Sequence, residues 1–114
     1  MLSMVRGDTA KFNFQRKDAD GEVITTIADE LYFTVKGTPK NTYPEFQITL
    51  EDMVFDEDGT YHFTVEPADT NKLDFTKKHW YDLEVIQGGV KTTIAFGEFN
   101  LKPEVTWAIN EVQA

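Results

Sequence analysis

The chain of 114 residues contains no cysteine, and Ser3 is its one serine. Without cysteine there are no disulfides, no thiol catalysis and no cysteine-based metal site. A Ser-His-acid triad would need Ser3 held in a prepared pocket, and no motif surrounds it. Histidine is almost as scarce. Of His62 and His79, the first falls between Tyr61 and Phe63 and points outward with Thr64 and Glu66. Positive charge is also short: 11 Lys and Arg stand against 20 Asp and Glu, for a net charge of −9 and a pI near 4.5. A nucleic-acid binder needs a basic footprint to release phosphate counterions, so no nucleic-acid partner is expected. An anionic membrane is disfavoured on the same ground. No apolar run approaches the roughly 18 residues of a spanning helix. The opening MLSMVRGDT is too short and polar for a signal peptide, so the chain is expected to remain in the cytoplasm where it is made.

What is present is greasy and aromatic. Hydrophobic residues make up 40% and aromatics 13%, enough for a packed core in one domain. The apolar residues alternate with a period of two. Ala10, Phe12 and Phe14 share one side of a run, as do Leu31, Phe33 and Val35, Phe46, Ile48 and Leu50, and Tyr61, Phe63 and Val65. Between these runs lie turn signals. Asp18-Ala19-Asp20-Gly21 and Asp56-Glu57-Asp58-Gly59 each place a glycine where the backbone must turn left-handed. Gly37 to Pro44 reads as a loop, and Glu22 to Ile27 as a strand or extended connection. Pro67 to Leu73 is the one helix-like piece, with Asp69 available as a cap. The pattern predicts an all-β protein, an antiparallel sandwich or barrel of about seven strands with one short helical turn. Residues 1–102 form the sandwich, and 103–114 form a C-terminal tail.

The clearest element runs from His79 to Lys102. Gly88-Gly89 supplies the positive φ angles of a tight hairpin. Pairing Gln87 with Val90 then sets Val85 opposite Thr92, Leu83 opposite Ile94 and Tyr81 opposite Phe96. Tyr81, Leu83, Val85, Thr92, Ile94 and Phe96 share the apolar face. Phe99 and Leu101 fall out of phase with Phe96, so one residue must be absorbed. Gly97 is the expected site of that bulge, with Phe96 and Phe99 both in the core.

Several clusters invite a chemical reading and have a structural one beside it. Asp82 and Glu84 sit two apart on a strand, about 6.5 Å, a spacing that glycosidases use. Lys91 and Thr93 lie opposite them, and a solvated face accounts for all four. The Asp-rich turns resemble half a calcium loop, but neither has both the third ligand and the distal Glu of the full loop, so no metal site is expected. Arg6-Gly7-Asp8 matches an integrin-binding tripeptide, and a surface turn explains it equally. In the tail Val105, Trp107 and Ile109 alternate after Pro103. Such a tail either folds back on its own sandwich or docks on a partner, since Trp is a favoured interface anchor.

An ordered set of short signatures spans most of the chain: Gly7-Asp8-Thr9, Asp18-Ala19-Asp20-Gly21, Asp58-Gly59-Thr60-Tyr61, Asp69-Thr70, Tyr81-Asp82-Leu83-Glu84-Val85, and Thr92-Thr93 followed by Gly97-Glu98-Phe99. From Val5 to about Thr106 the chain resembles the immunoglobulin-like domain at the N-terminus of phage baseplate upper proteins, and similar small prophage tail proteins. The resemblance implies an immunoglobulin-like sandwich serving as a non-enzymatic structural module, with no catalytic, cofactor-binding or metal-binding residues. Its partners would be other phage tail proteins or further copies of itself as a homo-oligomer. Its place would be the host cytoplasm during assembly and then the virion. In that fold Asp69 would pin the turn between sheets and Tyr81 would plug a tyrosine corner. The apolar, uncharged segments at the two ends are the expected contacts: Met1, Leu2, Met4 and Val5, together with Val105, Trp107 and Ile109. The alternative is a carbohydrate- or cell-surface-binding module on the same fold, using exposed aromatics among Tyr32, Tyr43, Trp80 and Trp107. A hydrolase using Asp82 and Glu84 is the weakest expectation and requires a cleft.

Overall fold

The structure, a computed structural model, describes residues 2–37 and 44–103. Strands β1 (Leu2–Val5), β2 (Ala10–Gln15), β3 (Glu30–Lys36), β4 (Phe46–Thr49), β5 (Val54–Phe55), β6 (Thr60–Val65), β7 (His79–Gln87) and β8 (Val90–Lys102) follow in chain order. A 3₁₀ turn at Leu50–Asp52 precedes β5, and a single helical turn, α1 (Pro67–Thr70), follows β6. In α1 the backbone N–H of Glu66 donates to Asp69 Oδ2 at 2.9 Å, so Asp69 does cap this turn.

The strands form two sheets, one of five strands ordered β1-β8-β7-β3-β4 and one of three ordered β2-β6-β5. The all-β sandwich expected from the alternation is what the chain builds. Every neighbouring pair is antiparallel except β1 with β8, which runs parallel. The residues 22–27 contribute one bridge, Lys17 to Val23, and are otherwise an extended connection.

The core lies between the sheets. Leu31, Phe33, Val35, Phe46, Ile48, Leu83, Val85, Phe99 and Leu101 come from the larger sheet, and Tyr61, Phe63 and Val65 from the smaller. Phe33 is its centre: its ring lies 4.7 Å from that of Phe63, 5.9 Å from Tyr81 and 6.3 Å from both Phe46 and Phe99. Offset and tilted aromatic contacts of this kind add to the gain from burial alone. Met4 on β1 joins the same core. α1 and the segment after it are tied to the turn following β1: the Gly7 N–H donates to Thr70 Oγ1 at 2.9 Å and the Arg6 guanidinium to the Leu73 carbonyl at 3.1 Å. Arg6 also stacks over the Phe75 ring. Arg6-Gly7-Asp8 is therefore a turn built into the sandwich, with Gly7 at φ 84°.

Two expectations about the hairpin are corrected. Gln87 does face Val90 and Val85 faces Thr92, but the register shifts between Leu83 and Glu84. Leu83 faces Ala95, Asp82 faces Phe96 and Tyr81 faces Gly97. The extra residue is thus Ile94, and the bulge is not at Gly97. Phe96 consequently turns outward and is 78% exposed, whereas Phe99 is 1% exposed. Gly97 has no positive φ. A Cβ there would stand 3.4 Å from the Tyr81 ring. The glycine lets an aromatic side chain cover its backbone from the neighbouring strand. The second correction concerns the corner. Tyr81 is only half-buried. Tyr61, with no exposed surface, is the tyrosine whose hydroxyl ties backbone together, accepting from the Ala28 N–H at 3.0 Å and from Arg16 Nε at 3.3 Å.

Candidate interaction surfaces

The two sheets differ in width, and the consequence is a groove. The smaller sheet ends at β2, whose outer backbone edge has no strand neighbour among the described residues. Beyond that edge the β7–β8 hairpin continues uncovered among the described residues. A cavity of about 610 Å³ lies between them, walled by Phe14, Arg16 and Lys17 on one side and by Leu83, Val85, Thr92 and Ile94 on the other. Ile94 is 40% and Val90 65% exposed, high values for branched apolar residues on an inner sheet face. The bulge turns Ala95 inward after Ile94, which keeps the floor of the groove shallow and apolar. Arg16 does not offer its charge to this space: its guanidinium donates to Tyr61 Oη and to the Thr26 carbonyl at 2.7 Å. Lys17 on the rim is exposed.

A second surface occupies the outer face of the larger sheet. Trp80, Asp82 and Phe96 line a hollow of about 240 Å³ with Thr34 and Lys36. Asp82 Oδ1 is buried and has no hydrogen-bond partner among the described residues. Burial, reinforced by the Glu84 carboxylate, pushes the Asp82 carboxyl above the usual carboxylate range. Glu84 itself is committed to Lys91, at 3.1 Å. The two acids therefore do not form an equivalent pair, and the expected solvated face is half-buried at both. Tyr32 and Trp80, expected as exposed aromatics, are half-buried on this face, and the aromatic that does project is Phe96.

The other expected site residues fall as follows. Leu2, Met4 and Val5 lie on β1, which forms one edge of the larger sheet. Met4 is buried in the chain's own core, while Leu2 and Val5 are half-buried. Met1, Tyr43, Val105, Trp107 and Ile109 lie outside the described residues. Ser3 is exposed, and His62 pairs outward with Asp56 at 2.6 Å. Both Asp-rich turns are closed locally. Asp18 Oδ1 accepts from the Asp20 and Glu22 amides, and Asp58 Oδ1 from that of Thr60. Among the described residues no group of three or more His, Cys, Asp or Glu is placed to hold a metal ion. Nor is any described helix long and apolar enough to cross a membrane. Sequence reasoning missed the groove entirely. Its only signal was the shortage of strands that could cover a hairpin as long as β7–β8.

No protein-family model matches the chain. No curated protein matches it. Among solved structures it is similar to the catalytic module of the multi-modular glycogen-degrading pneumococcal virulence factor SpuA, at 16% identity and a TM-score of 0.50. The match covers 77% of this chain and 11% of that one. At such identity the likeness concerns the fold alone, and this chain corresponds to a small part of that protein.

Proposed function

We propose that the chain is a non-enzymatic structural module of a phage or prophage tail or baseplate, acting through protein–protein contacts. The observation that carries this reading is the apolar groove beside the free edge of β2. An uncovered strand edge next to an apolar trough is the geometry by which a partner adds a strand: backbone hydrogen bonds supply affinity and the trough takes alternate side chains. Natural sandwiches otherwise protect such edges with charge, bulges or covering loops. The ordered signatures from Gly7-Asp8-Thr9 to Gly97-Glu98-Phe99 point to tail proteins as the setting. In that setting the chain works first in the host cytoplasm and then in the particle, and no cofactor or metal takes part. Density-purified particles from the source bacterium, released by prophage induction, test this by mass spectrometry. The chain should be present in fixed ratio to the other tail proteins, and its absence from intact particles would overturn the reading.

The second reading is a carbohydrate- or cell-surface-binding module, favoured by the hollow that Trp80 and Phe96 line together with Asp82. Aromatic faces and a hydrogen-bonding carboxylate suit a sugar ring. Titration with cell-wall glycans before and after Trp80→Ala separates it from the first: binding lost in the variant would support it, and no binding to the parent chain would remove it.

A further inference from the structure

Taking the chain as an assembly module, we infer that the groove beside β2 receives the 103–114 segment of a second copy. The segment has the right pattern. Val105, Trp107 and Ile109 alternate with Thr106 and Ala108, so an extended backbone puts all three apolar side chains on one side. That side fits the trough formed by Val85, Ile94 and Ala95, and the backbone fits the open edge of β2. The charges agree as well. Glu104 and Glu111 flank the apolar run and the segment contains no Lys or Arg, while Lys17 stands on the groove rim.

Covalent reach decides that the segment comes from another molecule. Residue 103 follows the end of β8, and Ala95 is the groove residue on β8 nearest to it. They are eight steps apart along the strand, about 26 Å at roughly 3.3 Å per residue. Trp107 lies four residues beyond Pro103 and extends at most about 14 Å from it. Doubling back along its own strand, the apolar run from Val105 to Ile109 reaches at most about 20 Å and falls short of its own groove. Each molecule therefore gives a segment at one end and accepts one at the other. This contact is heterologous, so it generates rings where the rotation closes and filaments where it does not.

Two full-length variants test the exchange: Ile94→Arg closes the groove with charge, and Trp107→Asp disables the segment. By size-exclusion chromatography with light scattering, the parent chain should form oligomers that grow with concentration. Each variant alone should be monomeric. A mixture of the two retains one working groove and one working segment per pair, so it should give a dimer and nothing larger. Thr92→Lys, at an exposed rim position, repeats the groove test, and unchanged melting temperatures show that each variant is folded. A parent chain that stays monomeric up to its solubility limit overturns the inference. So do oligomers that survive Trp107→Asp, which would put a different segment in the groove. A monomeric chain that is nevertheless found in purified particles ends this inference and leaves the tail-module reading standing. Dimers from the mixture without particle incorporation do the reverse.

Discussion

The hydroxyl of Tyr61 accepts the backbone N–H of Ala28 at 3.0 Å, joining the smaller sheet to the connection that leads into the larger one. Arg16 donates to the same oxygen, and all three residues are buried. Tyr61→Phe keeps the ring and leaves a buried amide and a buried guanidinium short of an acceptor. The expected cost is about 1–3 kcal/mol, that of unsatisfied buried donors. Urea denaturation measures it, and an unchanged midpoint would show that water replaces the hydroxyl.

Gly59 and Gly21 close the two Asp-rich turns with nearly equal φ, 90° and 82°. Only Gly59 is crowded. A Cβ there would lie 2.7 Å from Val23 Cγ1 and 2.8 Å from the Ile24 carbonyl oxygen, whereas at Gly21 nothing lies within 4 Å. Gly59→Ala should destabilise by about 2–4 kcal/mol, through left-handed strain plus overpacking. Gly21→Ala carries the strain alone and should cost about 1 kcal/mol. Equal costs in parallel thermal melts would contradict the packing seen at Val23.

Phe96 and Phe99 offer a direct test of the bulge. Phe99→Ala empties a core site and should cost about 3–5 kcal/mol. Phe96→Ser removes an exposed ring and should shift stability by no more than about 0.5 kcal/mol. If the two variants were equally damaging, the register shift at Ile94 would be wrong.

Asp82 predicts the sign of a pH effect. Its folded-state pKa is raised, so the native state holds a proton that the unfolded chain releases. The contribution is complete below the ordinary aspartate value and is lost as pH rises through the raised one. Asp82→Asn removes this dependence. Near neutral pH the variant should melt about 1–3 °C higher than the parent, what a few tenths of a kcal/mol is worth in a domain of this size. The difference should vanish toward pH 4. A variant that melts lower at pH 7 would mean that the charged carboxylate makes a favourable contact.

The sequence by itself determined the class of fold, because its signals are local. Alternation in Leu31-Phe33-Val35 and Tyr61-Phe63-Val65 selects the buried faces, since one face of each strand must leave water. Gly88-Gly89 and the Asp-x-Asp-Gly turns carry conformations that few other residues adopt, and their four φ-positive glycines, like Gly7, lie at turns. Tertiary structure decided where the hairpin slips. Locally Gly97 is the easier residue to bulge, but in the sheet it pairs directly with Tyr81, whose ring lies against it and also packs on Phe33. Ile94 is left as the unpaired residue, on the groove side with Ala95, and Phe96 turns outward. The parallel pairing of β1 with β8 joins residues about a hundred positions apart, a separation no local pattern encodes. The groove is decided at the same level. It exists because three strands lie over five, and the width of a sheet is a property of the whole assembly and of no single segment.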